Sequence, residues 1–124
     1  MSAYKLLKEE TDAKGRKFEI VKIKVPAPIY MSSKEAKGIS KGKYNAKSRV
    51  EGNRLAASYV NYYQGEKFVI LPAFGVPEDK LAKQTFQKLY PEKEIIQFNT
   101  KEILLGGGNV HCITMQIPYN KEFI

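Results

Sequence analysis

The residues best suited to chemistry lie near the end of the chain, where its only cysteine, Cys112, directly follows its only histidine, His111. A cysteine thiolate is a strong nucleophile, provided that a substrate can come close to it. The glycine-rich run at 106–109, directly before this pair, allows such an approach because glycine carries no side chain. Cys112 is therefore a candidate nucleophile, and the alternative is a small apolar residue of the core.

The sequence offers no other centre of chemistry. One cysteine, one histidine and no carboxylate cluster give a metal ion too few ligands. The glycines lack the spacing of a phosphate-binding loop and the Lys-Ser/Thr pair that follows one. We therefore expect neither a metal nor any other cofactor.

The composition is that of one globular domain. The 124 residues are 43% hydrophobic and 27% charged, which is enough apolar material for a core. No apolar run approaches the ~18 residues of a membrane-spanning helix, and the first residues do not resemble a signal peptide. A single cysteine fits a reducing compartment, so we predict a cytoplasmic location without membrane contact.

The formal net charge of +8 comes from the first part of the chain. Residues 1–54 carry 14 Lys/Arg against 6 Asp/Glu, whereas residues 55–124 carry 7 against 7. Much of the excess falls at 31–53, which we predict as a long basic loop. Such a loop can contact phosphates, but Tyr44 is its only aromatic residue. A solvated surface is the simpler interpretation, and nucleic acid is not an expected partner.

Apolar runs and prolines predict the elements that must position the cysteine. The pattern predicts strands at 18–25, 55–63, 67–72 and 94–98. Prolines end the strands, and a helix begins at Pro77 and ends before Pro91. The resulting strand–strand–helix–strand order is one ββαβ unit, whose helical crossover favours a parallel pair of strands. In the range 55–63, the Ala56-Ala57 pair leaves a helix as the alternative.

A short helix and a closing strand complete the prediction. Asn99 or Thr100 begins the helix, Glu102 has capping-box spacing from Asn99, and the glycine run ends it. Residues 110–117 follow as an apolar strand. Since neighbouring side chains on a strand point to opposite faces, His111 is poorly placed as a base for the thiol. A thiol with an ordinary pKa near ~8.5 needs such a base or a lowered pKa, so the sequence presents a nucleophile without partners.

Two segments together resemble a known family. They are Arg-Leu-Ala-Ala-Ser-Tyr-Val-Asn at 54–61 and the segment 102–114, whose most specific part is Gly-Gly-Gly-Asn-Val-His-Cys-Ile-Thr at 106–114. Both are similar to the C-terminal portion of agmatine deiminases, in the bacterial-type peptidylarginine deiminase group, and the resemblance extends from about Asp12 to Pro118. It implies an α/β fold, a partial pentein propeller with one complete ββαβ repeat plus flanking strands. Residues 1–124 are then a single partial domain.

The resemblance also implies a reaction. Cys112 matches the nucleophile of an amidine hydrolase, which attacks a guanidinium carbon so that ammonia leaves and water then releases a carbamoyl product. With agmatine as substrate, the product is N-carbamoylputrescine. Gly106, Gly107 and Gly108 would shape the substrate pocket, with Asn109 supporting them.

One departure from the family limits this expectation. The general acid/base histidine and the guanidinium-binding carboxylates belong to Gly-His-x-Asp and Trp-x-Arg-Asp motifs, and neither motif occurs in this chain. We therefore expect a nucleophile-bearing part that is inactive until an upstream polypeptide completes it. Agmatine, free arginine and peptidyl arginine remain open as substrates. The alternative is a truncated, non-catalytic fragment that self-associates through unpaired strand edges.

Overall fold

A computed structural model describes residues 2–39 and 49–117 and shows a mixed α/β structure built around a small sheet. The strands are β1 (Tyr63–Gln64), β2 (Phe68–Ala73) and β3 (Glu94–Asn99). The helices are α1 (Ala3–Glu9), α2 (Ser33–Gly38), α3 (Glu78–Leu89), α4 (Lys101–Leu105) and a 3-10 helix at Val110–Ile113. None of these helices has the length and apolarity needed to cross a bilayer.

The sheet follows the predicted chain order from β1 to β3. A tight turn joins β1 to β2 as an antiparallel hairpin, and α3 carries the chain from β2 to a parallel β3. The predicted hairpin, the parallel pair and the strands at 67–72 and 94–98 are confirmed. Pro72 does not end β2, however. The carbonyl of Ala73 accepts from the Thr100 amide at 3.0 Å, on the β3 side of the strand. Neighbouring residues of a strand direct their backbone groups to opposite edges, so the nitrogen of Pro72 lies on the β1 side. There β1 has only two residues, which pair with Val69 and Ile70, so no strand residue lies opposite Pro72.

Helix α3 begins after Pro77 and ends before Pro91, as predicted. Asp79 in its first turn accepts hydrogen bonds from the Tyr59 hydroxyl at 2.7 Å and the Gly75 amide at 2.8 Å. Burial, followed by the bond to Asp79, raises the pKa of Tyr59 above its usual range. Asp79 therefore joins the helix start to the segment that precedes β1.

The core forms where α3 and α4 meet the sheet. It includes Phe86 of α3, which packs edge-on against Tyr62 with 4.7 Å between ring centroids. The buried cluster consists of Met31, Leu55, Tyr59, Val69, Leu71, Phe74, Ala82, Phe86, Ile95, Leu104 and Leu105. The segment before β1 is therefore anchored in the core although it is irregular.

Three predicted strands are wrong in whole or in part. Residues 18–25 form no strand, and the predicted strand at 55–63 is reduced to β1, with no helix in its place. The predicted closing strand at 110–117 is instead a 3-10 helix followed by irregular chain. Propensity marks residues that suit a sheet, but a strand also needs a neighbouring backbone to pair with. Val25 shows the result, since 59% of its surface is exposed.

The predicted loop at 31–53 contains helix α2, so an entirely irregular segment is wrong there. Ser32 and Glu35 form a reciprocal capping box that starts α2. The segment is closed at its base by backbone bonds, among them that from the Met31 amide to the Asn53 carbonyl at 2.9 Å. Residues 40–48, which include Tyr44 and much of the predicted basic loop, lie outside the described residues.

Glu35 also joins α2 to α4 through an ion pair with Lys101 at 2.7 Å. The bond from Lys101, followed by those from Ser32, lowers the pKa of Glu35 to about 2. An unfolded glutamate has a pKa near ~4.3, so the folded state binds this proton less tightly than the unfolded state does. The stabilisation from Glu35 is therefore present above the unfolded-state pKa of ~4.3 and is lost as the pH falls towards the folded-state pKa of about 2.

We predict that Glu35→Gln lowers stability at neutral pH, and that its difference from the wild type shrinks as the pH falls from ~5 to ~2. Urea unfolding midpoints measured across this range test the prediction. Glu92→Gln is the matched control because Glu92 lies exposed in the turn after α3. A difference between Glu35→Gln and the wild type that stays constant with pH would contradict the assignment.

Candidate functional site

The glycine run begins where α4 ends. The amides of Gly106 and Gly107 donate to the carbonyls of Ile103 and Leu104, both at 3.0 Å, which closes the last turn of the helix. The predicted short helix ended by glycine is confirmed. Of the two residues predicted to start it, Thr100 holds the N-cap position. The capping box between Asn99 and Glu102 is wrong, because the side chain of Asn99 accepts from the Lys101 amide at 3.0 Å instead.

Gly107 adopts a backbone angle that favours glycine, with φ of +99°. The guanidinium of Arg49 lies over it and donates from Nη2 to the Gly106 carbonyl at 2.9 Å. A Cβ added to Gly107 would lie 2.8 Å from Cζ of Arg49. Arg49 therefore covers the turn, a contact across 57 residues that sequence reasoning did not find.

Gly108 makes room for the cysteine itself. A Cβ added to Gly108 would lie 2.7 Å from Cβ and 2.9 Å from Sγ of Cys112. The backbone of Gly108 is not in the left-handed region, so contact with the thiol is what restricts this position. The turn thus brings Gly108 and Cys112 together.

Asn109 is fully buried at the start of the 3-10 helix. Its side-chain oxygen accepts from the Val110 amide at 2.9 Å, and its backbone carbonyl accepts from the Cys112 amide at 2.9 Å. Within the described residues its Nδ2 has no hydrogen-bond partner. Asn109 therefore shapes the start of the helix that carries the cysteine.

Cys112 lies exposed on the 3-10 helix, so the predicted strand geometry does not apply to it. Its Sγ accepts a hydrogen bond from Nδ2 of Asn61 at 3.3 Å. This bond, followed by a smaller backbone contribution from Asn109, lowers the pKa of the Cys112 thiol. Asn61 ends the first segment that resembles the family, but sequence reasoning gave it no role.

A groove of about 410 Å³ lies beside the 3-10 helix. Its lining includes His111 but not Cys112, so the groove and the thiol do not coincide. The lining residues are Val60, Tyr62, Tyr63, Gln64, His111, Thr114 and Gln116. We place the candidate site at Cys112 rather than in the groove, because a thiolate is a stronger nucleophile than the hydroxyl and imidazole groups that line the groove.

Around the candidate nucleophile Cys112, the described residues place few other functional groups. In residues 2–39 and 49–117, the side chains that donate hydrogen bonds to the thiol or to the carbonyls of its glycine turn are those of Asn61 and Arg49. No three His, Cys, Asp or Glu side chains in these ranges converge as metal ligands do.

The model of one protein family, the Porphyromonas-type peptidyl-arginine deiminases, matches residues 1–118. "Putative agmatine deiminase 1" of Listeria monocytogenes serovar 1/2a is 51% identical over 115 residues, which are 93% of this chain and 31% of that protein. The agmatine deiminase of Medicago truncatula is 47% identical over 118 residues, again 31% of its length. This chain therefore spans about a third of these relatives.

A solved structure agrees with the sequence comparison. The structure of the agmatine deiminase of Enterococcus faecalis, described as catalysing its reaction, matches with a TM-score of 0.77 and 34% identity. The match covers 94% of this chain and 31% of that one. The arrangement of α3, α4 and the sheet is thus one that a larger deiminase contains.

Proposed function

The chain belongs to the Porphyromonas-type peptidyl-arginine deiminase family, and from this membership we propose that it is the nucleophile-bearing part of an agmatine-deiminase-like hydrolase. The observation that best supports the proposal is the placement of Cys112. Its thiol is exposed, has a lowered pKa and lies against a glycine that leaves room for it. A buried apolar cysteine, the alternative interpretation, would have neither the exposure nor the lowered pKa.

The proposed reaction consumes water and releases ammonia. The Cys112 thiolate attacks the guanidinium carbon, and the carbon–nitrogen bond to one amino group breaks as that nitrogen takes a proton and leaves. Water then attacks the same carbon, the carbon–sulfur bond breaks and the thiolate is restored. With agmatine as substrate, the products are N-carbamoylputrescine and ammonia. Gly106, Gly107 and Gly108 shape the pocket floor, and Asn109 supports them.

The remaining groups come from a polypeptide beyond these 124 residues, whether joined to the chain or separate. A general acid/base is needed to move the protons, and carboxylates are needed to hold the guanidinium. In this proposal, residues 1–124 form one partial domain of a pentein propeller, with β1, β2, α3 and β3 as its ββαβ repeat. The chain alone turns over no substrate, requires no cofactor and acts in the cytoplasm.

Reconstitution tests the proposal. The chain is mixed with a polypeptide corresponding to the part of a relative that it does not cover; we call the mixture the completed enzyme. Ammonia and carbamoyl product are measured with agmatine, free arginine and an arginine peptide. We expect turnover by the mixture and none by either part alone. A complex that forms but stays inactive towards all three substrates would contradict the proposal, as would clear turnover by the pure chain.

A second candidate, a non-catalytic fragment that self-associates, is favoured by the outer strand of the sheet. Among the described residues β3 pairs only with β2, and its Ile96 and Phe98 are 40% and 45% exposed. Such an edge is a template for pairing with another copy. Light scattering that shows a stable monomer with a cooperative melt would argue against this candidate.

A further inference from the structure

We propose that Asn61 is a positioning residue for Cys112, holding the sulfur in place through one end of its side-chain amide and the 3-10 helix through the other. The inference rests on the proposed nucleophilic role of Cys112 and assigns a partner to that residue. This positioning role involves no proton transfer, because an asparagine amide neither gains nor loses a proton at neutral pH.

The orientation of the Asn61 amide follows from its partners. Its Oδ1 lies 2.9 Å from the backbone nitrogen of His111, and its Nδ2 lies 3.3 Å from Sγ of Cys112. A backbone N–H can only donate, so the atom facing His111 must be the oxygen. The NH2 group therefore faces the sulfur, and the assignment depends on hydrogen-bonding chemistry rather than on the similar sizes of the two atoms.

This orientation suits the thiolate better than the thiol. An NH2 group donates, and an ionised sulfur is the stronger acceptor. A protonated thiol is only a weak acceptor from Nδ2, and the Oδ1 to which its S–H could donate is farther away, at 3.8 Å, and also accepts from His111. The lowered pKa of Cys112 agrees, since the bond from Asn61 is its largest cause.

No charged side chain is among the described groups that lower the pKa of the Cys112 thiol. The titratable groups next to the thiol and its turn are His111, which precedes Cys112, and Arg49, which lies over Gly107. Among the described residues, the causes that lower the pKa of Cys112 are hydrogen bonds, and no charged side chain is one of them. Among the described residues, the hydrogen bond from Asn61 is therefore the side-chain contact that favours the thiolate.

Asn61 is itself held by the core. Tyr59, two residues earlier, is 1% exposed and donates to Asp79 at the start of α3. On the other side, Asn61 is followed closely by β1 and the hairpin. A residue fixed from both sides can hold a side chain that lies 51 positions further along the chain.

The test is the pH dependence of Cys112 alkylation by iodoacetamide in the full chain. For Asn61→Ala we expect the profile to move to higher pH and alkylation at pH ~7 to slow several-fold, because the donor is lost. For Asn61→Asp we expect a larger shift in the same direction. Aspartate still accepts from the His111 amide, but it turns a negative oxygen towards the sulfur. This variant keeps the tie to the helix and changes only the group that faces the thiol.

Thr114→Val is the matched control. The Thr114 hydroxyl donates to the carbonyls of Val110 and His111 at 2.9 and 3.1 Å, so its loss loosens the same helix without touching the sulfur. We expect its alkylation profile to match the wild type. Profiles that shift equally in Thr114→Val and Asn61→Asp, or an unchanged profile in both Asn61 variants, would overturn the role of Asn61.

Turnover by the completed enzyme separates this inference from the proposed function. If Cys112→Ala retains turnover, the nucleophilic role fails whatever the alkylation profiles show. If turnover requires Cys112 but both Asn61 variants keep the wild-type kcat and thiol profile, the positioning role alone fails. The expected result is a lower kcat in both variants, with the larger loss in Asn61→Asp.

Discussion

Replacing Cys112 with serine in the completed enzyme is expected to lower kcat by a factor of about 10³ or more. Serine has nearly the same shape, so it fits beside Gly108, where the cysteine side chain leaves little space. Its hydroxyl ionises far less readily than a thiol, and the hydrogen bond from Asn61 is too weak to offset that difference. The substitution therefore removes the nucleophile and leaves the surroundings unchanged.

Three measurements check this expectation. Kinetics give kcat and KM, and we expect KM to change little because the pocket is retained. Thermal melts of the wild type and the variant should coincide, since Cys112 is exposed. Mass spectrometry of the quenched wild-type reaction should show a substrate adduct on Cys112 that the serine variant lacks. A kcat within about tenfold of the wild type would end the nucleophilic assignment.

Gly108→Ala is expected to disturb Cys112 directly, because the added methyl group would overlap the cysteine side chain. The new Cβ would lie 2.7 Å from Cβ of Cys112, closer than two such carbons can approach. Either the turn or the thiol must move, at a cost of about 1–3 kcal/mol. We expect a lower free energy of unfolding, altered alkylation of Cys112 and loss of most turnover in the completed enzyme.

Gly38→Ala is the matched control for this prediction. Gly38 ends α2, has no positive φ and has open space where the new Cβ would lie. Alanine there should be neutral or slightly stabilising, because alanine is the better helix former. Urea unfolding and iodoacetamide alkylation compare the two variants. Equal behaviour of Gly108→Ala and Gly38→Ala would show that Gly108 does not make room for the thiol.

Local patterns correctly predicted the helices and strands that are determined by residues within them or directly beside them. The prolines around α3, the apolar runs of β2 and β3 and the glycines after α4 each act on their own stretch of chain. The strands predicted at 18–25 and 110–117 failed because a strand also depends on what lies beside it. No neighbouring backbone in the described structure pairs with either range as a strand. The sequence of a segment does not by itself determine whether another segment will lie beside it.

The sequence by itself determined the family, the cysteine that we propose as the nucleophile and the glycine turn that precedes it. Only the tertiary structure decided what surrounds that cysteine. Asn61 contacts the sulfur of Cys112 from 51 positions away, and Arg49 binds the carbonyl of Gly106 from 57 positions away. No local sequence pattern predicts either contact. The reason is physical: contacts between distant residues depend on how the core packs, whereas turns and helix ends depend on their immediate neighbours.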